Sequence, residues 1–256
     1  MNHKRLIDLY NLTSKHSHYQ VLAERLREYV PNDTLNTQSR FEQERLEYVL
    51  KQVPCQGISL ADIGGNTGYF TMELIDRGAK SALLIEGNRE HGAFVEEAVK
   101  VLGWQDRVKV HPHYLNFEHD LSLMHVDVCL LLNVLHHVGD DYGDPAQSIE
   151  SAKQNMLDSL SRLAPHVDRL VFQLGFNWKG NRDLSLFDHG TKRELIDFVE
   201  SGTQTSWSIQ KVGIAEKSAD GIVYADLNST NIQRQDSLGE FLNRPLFIMQ
   251  SKRFQA

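Results

Sequence analysis

The stretch Leu60-Ala61-Asp62-Ile63-Gly64-Gly65-Asn66-Thr67-Gly68-Tyr69-Phe70 decides the fold. It opens with the character of a buried strand, bends through a glycine-rich turn and runs directly into a helix. In that order the backbone can pass close to a ligand at the strand's carboxyl end. The stretch is therefore a cofactor site. Dinucleotides and S-adenosylmethionine (SAM) are both held at such turns, and the rest of the chain decides between them.

Outward from it, strand, turn and helix recur. Ser59–Ile63 is the first strand and Tyr69–Asp76 its helix; a second strand over residues 82–85 ends at Glu86, and its helix spans Arg89–Leu102 with Phe94, Val95, Ala98, Val101 and Leu102 on one face. A short strand follows over residues 108–110. Val126–Leu132 is so continuously apolar that it reads as a central parallel strand covered on both faces. Asp144-Pro145 opens a helix that stops near Pro165, and a fifth strand occupies residues 169–174. Beyond it, Thr191-Lys192-Arg193-Glu194 is a capping box for one more helix. Extended segments near residues 207–215, 222–227 and 246–250 then follow, with no long helix between the last two, so they pair antiparallel. Upstream, residues 1–53 carry helical spacing at Leu6, Leu9 and Tyr10, at Leu22, Leu26, Tyr29 and Val30, and from Phe41 to Val53, broken at Pro31-Asn32-Asp33. This prefix either packs over the cofactor mouth or covers an edge of the sheet.

Composition narrows the partners. In 256 residues, 34 acidic side chains outnumber 27 basic ones, a formal net charge of -7 that repels a phosphate backbone and disfavours a nucleic-acid substrate. Cys55 and Cys129 lie far apart and outside any Cys-x-x-Cys spacing, which indicates neither a zinc frame nor a disulfide and favours a reducing compartment. The start lacks the apolar core of a signal peptide, and the longest apolar run, residues 126–135, is interrupted by Asp127 and Asn133. A cytoplasmic protein with no membrane insertion is expected.

Asp62 to Gly68 resembles motif I of the class I SAM-dependent methyltransferases, acidic-x-Gly-x-Gly-x-Gly. Asp62, Gly64 and Gly68 hold three of its four fixed positions, Asn66 replaces the middle glycine, and Gly65 is an additional one. The dinucleotide pattern Gly-x-Gly-x-x-Gly finds no third glycine in register, which favours SAM over NAD. The resemblance implies that Gly64, Gly65, Asn66, Gly68 and the helix start through Phe70 hold the cofactor. Glu86, at the end of the second strand, stands where such folds place an acid that accepts from both ribose hydroxyls, and the resemblance implies that role for it. The usual acid after the third strand is missing from His111-Pro112-His113-Tyr114-Leu115-Asn116; Tyr114 is the residue to lie against adenine, with His113 or Asn116 at its edge.

Leu131-Leu132-Asn133-Val134-Leu135-His136-His137-Val138 is similar to the fourth-strand ending of small-molecule methyltransferases. The similarity implies Asn133 as a contact to the cofactor's methionine part and His136 and His137 at the point of methyl delivery. A histidine is the side chain best suited to take an acceptor proton near neutral pH; either one could instead be structural, capping the loop before Asp140-Asp141. The twelve histidines match no ligand frame such as His-Glu-x-x-His, so no metal is expected. In the loop after the fifth strand, Trp178 offers a flat face to a sugar or aromatic ring, and Lys179 and Arg182 suit an anionic group. The prefix arginines, the His-His pair, this loop and Asn243-Arg244-Pro245-Leu246-Phe247 together look similar to methyltransferase domains that modify bacterial surface-polysaccharide chain ends. That similarity implies that Arg40 or Arg45 reaches the cofactor carboxylate.

The expected molecule is α/β: a doubly wound, mostly parallel seven-stranded sheet with antiparallel C-terminal strands, a helical prefix over residues 1–53 and a methyltransferase domain over residues 54–256. It would transfer methyl from SAM, leaving S-adenosylhomocysteine (SAH), to an oxygen, less readily a nitrogen, of a small molecule or glycan end. A non-catalytic SAM-fold subunit that binds a partner protein and an NAD-dependent oxidoreductase are the rival readings.

Overall fold

A computed structural model of the chain describes residues 4–12, 18–30 and 37–254. Helix α1 (Lys4–Tyr10), a 3-10 turn at Glu24–Glu28 and α2 (Glu42–Gln52) form the prefix; the expected break at residues 31–33 lies outside the described residues. Then come β1 (Ser59–Ile63), α3 (Tyr69–Asp76), β2 (Ser81–Ile85), α4 (Arg89–Leu102), β3 (Val108–His111), β4 (Val126–Leu132), α5 (Ile149–Leu163), β5 (Val167–Gln173), α6 (Lys192–Thr203), β6 (Trp207–Ser218), β7 (Gly221–Asp226), the single turn α7 (Gly239–Leu242) and β8 (Leu246–Ser251). Among these, no helix is long and apolar enough to cross a membrane.

Local chemistry sets several boundaries. Asn88 caps α4 by accepting from the Glu90 and His91 N–H groups, and Gly103, at φ 70°, ends that helix in the left-handed conformation. The capping box is present in both directions: Thr191 accepts from the Glu194 N–H, and the Glu194 carboxylate accepts from that of Thr191. The expected start of α5 at Asp144-Pro145 is five residues early. Asp144 turns back on the Ala146 N–H, whereas Ser148 accepts from Ser151 N and is the true cap.

The eight strands run in the order β3-β2-β1-β4-β5-β8-β6-β7, one more than the seven expected. The first five are parallel to one another; β8 enters between β5 and β6, antiparallel to both. The additional strand is β7, which folds back on β6 as an edge hairpin, pairing Gly213 with Asp226 through Ser218 with Gly221. The prefix holds that hairpin in place. Tyr48 of α2 donates to Asp226 Oδ1 at 2.8 Å, and a Cβ on Gly213 would stand 2.5 Å from the Tyr48 ring.

Strand alternation divides the core into two faces. Ala61, Ile63, Cys129 and Leu131 face one side with α5 and α6; Leu60, Val128 and Leu130 face the other with α3, α4 and the prefix residues Leu6, Leu22, Leu26 and Leu46. Phe172 and Phe247, both fully buried, oppose each other across the β5–β8 pair at 6.0 Å between ring centres. One polar group inside is structural: Lys192 Nζ donates to the Asn231 and Gln233 carbonyls at 2.9 and 3.0 Å, fixing the loop before α7.

Thr191→Ala removes the hydroxyl half of the capping box and is expected to cost about 1 kcal/mol, seen in thermal unfolding as a midpoint lower by about 2–4 °C.

Candidate functional site

The turn after β1 obeys two separate steric demands. Gly64 lies at φ 69° and Gly68 at φ 79°, both left-handed, and a Cβ on Gly64 would come 2.5 Å from Val134 Cγ2. Gly65 has no such φ; a Cβ there would stand 2.8 Å from Leu84 and 3.0 Å from Asp62 Oδ2, so packing alone demands glycine. Asn66, in place of the usual glycine, is also left-handed at φ 53°, a conformation that asparagine tolerates best among non-glycine residues, and its side chain accepts from the Thr67 N–H.

Two carboxylates hold this turn. Asp62, 3 % exposed, accepts from Thr71 Oγ1 at 2.8 Å. Burial pushes its pKa up to about 6, Thr71 opposes that shift, and the nearby charge of Glu86 adds to it. Glu86 spans two strand ends, its Oε2 accepting from the Asn66 N–H at 2.7 Å and its Oε1 from the Asn88 N–H at 2.8 Å.

Around the turn lies a cavity of about 470 Å³, a size that suits a small-molecule ligand. Asp62, Gly64, Gly65, Asn66, Phe70, Glu86, His113, Tyr114 and Asn133 all line it, as do Arg40, His136, His137 and Lys179. Gly68 does not; it serves instead as the left-handed cap of α3. The Tyr114 ring lies directly over Gly87, where a Cβ would come within 2.2 Å of it, so the chain after Glu86 carries an aromatic face at the cavity wall.

At the opposite wall three guanidinium groups surround one ring. Arg40, Arg45 and Arg244 stand 5.4, 5.2 and 5.1 Å from the centre of Phe241. Arg45 pairs with buried Glu42 and Arg244 with Glu240. Burial lowers the Arg45 pKa and raises that of Glu42, and each charge offsets part of the other's shift. Asn133, left-handed at φ 63°, ties the wall together: it donates to Gln173 Oε1 at 2.9 Å and accepts from Arg244 at 2.8 Å, while Gln173 donates to the Arg244 carbonyl at 3.0 Å. The prefix enters the site at a second point. Gln20 Oε1 accepts from Thr67 Oγ1 and from the Tyr69 N–H, the first amide of α3, at 3.0 and 2.9 Å.

The two histidines occupy a 3-10 turn after β4, with ring centres 4.4 Å apart. His136 is 2 % exposed and its Nδ1 accepts from the Gly175 N–H at 3.2 Å. His137 is half-buried, with Nδ1 3.5 Å from Asp141 Oδ2; His137, Asp140 and Asp141 bring one donor atom each within 4.8 Å of one another. Trp178 departs from its expected place. Its ring is buried and its indole N–H donates to the Val138 carbonyl at 2.6 Å, which braces the histidine loop, and Lys179 covers the ring at 4.2 Å. Neither Trp178 nor exposed Arg182 lines the cavity.

Gln20, Gly87, Asp141, Tyr142, Phe241 and Arg244 line it or shape it without having been singled out as site residues in the sequence. Two of them carried a signal: Asp141, four residues beyond His137 in a turn, and Arg244, within the quoted stretch Asn243–Phe247.

No protein-family model and no curated protein matches the chain. Its fold is shared with solved structures at low identity. WbdD is similar at a TM-score of 0.60 and 15 % identity, covering 96 % of this chain and 41 % of that one; a 2.2 Å structure of WbdD is similar at 0.56, 13 % identical over 97 % and 47 %. This chain thus spans less than half the length of WbdD. The N-terminal domain of EvdMO1, solved in the presence of SAH and D-fucose, is similar at 0.51 and 12 % identity over 97 % of this chain and 94 % of that one. The chain thus shares its fold with WbdD and with an EvdMO1 domain that was solved in the presence of SAH.

Asp62 gives the site a pH signature. With a folded pKa near 6 against an ordinary 3.8, the native state keeps a proton that the unfolded chain has released, so this group's contribution falls as pH rises through that window. Comparing wild type with Asp62→Asn by denaturant unfolding at pH 4 and 7, wild type is expected to lose up to about 3 kcal/mol relative to the variant.

Proposed function

We propose that the chain transfers a methyl group from SAM to an oxygen, in preference to a nitrogen, of a small molecule or glycan end. The observation that carries this reading is one cavity lined by the Asp62–Asn66 turn, Glu86 and His137, so that a nucleotide-holding end and a proton-accepting end meet.

The donor set fits SAM, which combines a carboxylate with two cationic groups. Gly64, Gly65 and Asn66 let backbone approach it, Glu86 meets the ribose, Tyr114 over Gly87 and His113 meet the adenine, and Arg40 beside Phe241 meets the carboxylate. Bound there, SAM supplies a methyl group on a sulfonium, a strong electrophile. The chain's own work is alignment and water exclusion, with Leu115, Phe117 and Val134 forming apolar wall near the histidines. His137 takes the acceptor's proton. The net charge of -7 and the acids beside His137 favour a small molecule or sugar over nucleic acid. The EvdMO1 domain, solved with SAH and D-fucose, supports pairing this fold with a sugar.

Calorimetry on the purified chain is expected to give micromolar SAH binding and none for NADH. Glu86→Ala is expected to weaken SAH about 10- to 100-fold through loss of charge-assisted bonds, and Gly64→Val to abolish binding, with circular dichroism reporting the fold. A folded, monodisperse protein that binds neither SAM nor SAH rejects the reading. Affinity without turnover on any acceptor class supports the non-catalytic subunit instead.

A further inference from the structure

The adjacent histidines are not equivalent. His136 Nδ1 already accepts the Gly175 N–H, so its neutral ring carries the proton on Nε2 and presents only a donor. His137 lines the cavity with its Nδ1 3.5 Å from Asp141 Oδ2, and a proton held on Nδ1 makes Nε2 the ring's basic nitrogen. Among the described residues, the charged and titratable groups around it include His136, Asp140, Asp141 and Tyr142 from its own turn and the loop that follows, and Lys179 from the loop after β5, whose Nζ donates to the Pro145 carbonyl at 3.0 Å.

We infer that Asp141 is a positioning residue that holds His137 in its Nδ1–H form as general base, and that the acceptor is a neutral hydroxyl, as on a sugar ring, and not a phosphate or carboxylate. This rests on the methyl-transfer reading above. A phosphate or carboxylate oxygen is anionic near neutral pH and needs no base, and the two aspartates repel it at the methyl-delivery end. An alcohol keeps its proton until the new bond forms. In the step, the hydroxyl oxygen bonds to the methyl carbon, the S–CH3 electron pair stays on sulfur, and the hydroxyl proton passes to His137 Nε2. The products are a methyl ether, SAH and an imidazolium facing Asp141, which returns its proton to water.

The test uses the full chain and Asp141→Asn, with histidine 15N NMR, SAH calorimetry, and turnover on methyl glycopyranosides against sugar phosphates and uronic acids. Wild-type His137 is expected as the Nδ1–H tautomer and the variant as Nε2–H, with SAH affinity unchanged within about two-fold. Turnover of the glycoside falls about 100-fold, the acid limb of its pH profile moves to lower pH in the variant, and Asp141→Glu restores part of the rate. An Nε2–H tautomer in wild type, unchanged turnover in Asp141→Asn, or faster methylation of the phosphate than of the glycoside overturns the inference. So does selective broadening of the His137 signals by millimolar Mn²⁺, which would make the cluster a cation site. If folded wild type binds no SAH, it is the methyltransferase reading that fails, and the tautomer measurement still decides the role of Asp141.

Discussion

The turn after β1 must leave the sheet within a few residues while lying flat against β2, and one carboxylate makes that possible. Glu86 sits at the end of β2 and takes one backbone N–H from the turn and one from the cap of α4. Those two amides would otherwise need partners at the cavity edge. The clamp aligns the ends of β1 and β2 and sets the entry angles of both following helices. The same side chain lines the cavity, so one carboxylate both shapes the wall and is presented to a ligand.

Much of this was legible beforehand because it depends on local patterns. Buried strands, a capping box at Thr191 and glycines with a left-handed turn follow from short-range sterics and periodicity. The strand count went wrong for a tertiary reason. Residues 222–227 read correctly as extended, yet their place as an eighth, edge strand rests on Tyr48 of a distant helix packing over Gly213. Trp178 shows the same limit. An aromatic residue in a polar loop after a strand looks like a binding platform, but its N–H finds the Val138 carbonyl forty residues back in the chain, and that bond turns the ring inward.

The cationic wall illustrates long-range assembly further. Arg40 and Arg45 were visible as candidates for the cofactor carboxylate; Arg244 was noted only within a quoted stretch with no role, and Phe241 not at all, since nothing in their local sequence says that they stand against the prefix. One phenyl ring collects all three guanidinium groups, and two of the three are matched by Glu42 and Glu240. Among the described residues that leaves one net positive charge on this wall, a balance that admits a single anionic group without building a strongly basic patch.

The position of β8 has a bearing on how the molecule is made. It follows β6 and β7 in the chain but lies between β5 and β6, and its leading segment supplies Phe241 and Arg244 to the cavity. During synthesis the β6–β7 hairpin exists before the strand that joins it to the rest, so the parallel half and the hairpin wait as two incomplete sheets with exposed edges. The wall that Phe241 and Arg244 contribute to the cavity is therefore completed last, when one six-residue segment closes the gap. Nascent chains are dependent during that interval on whatever keeps their open edges apart.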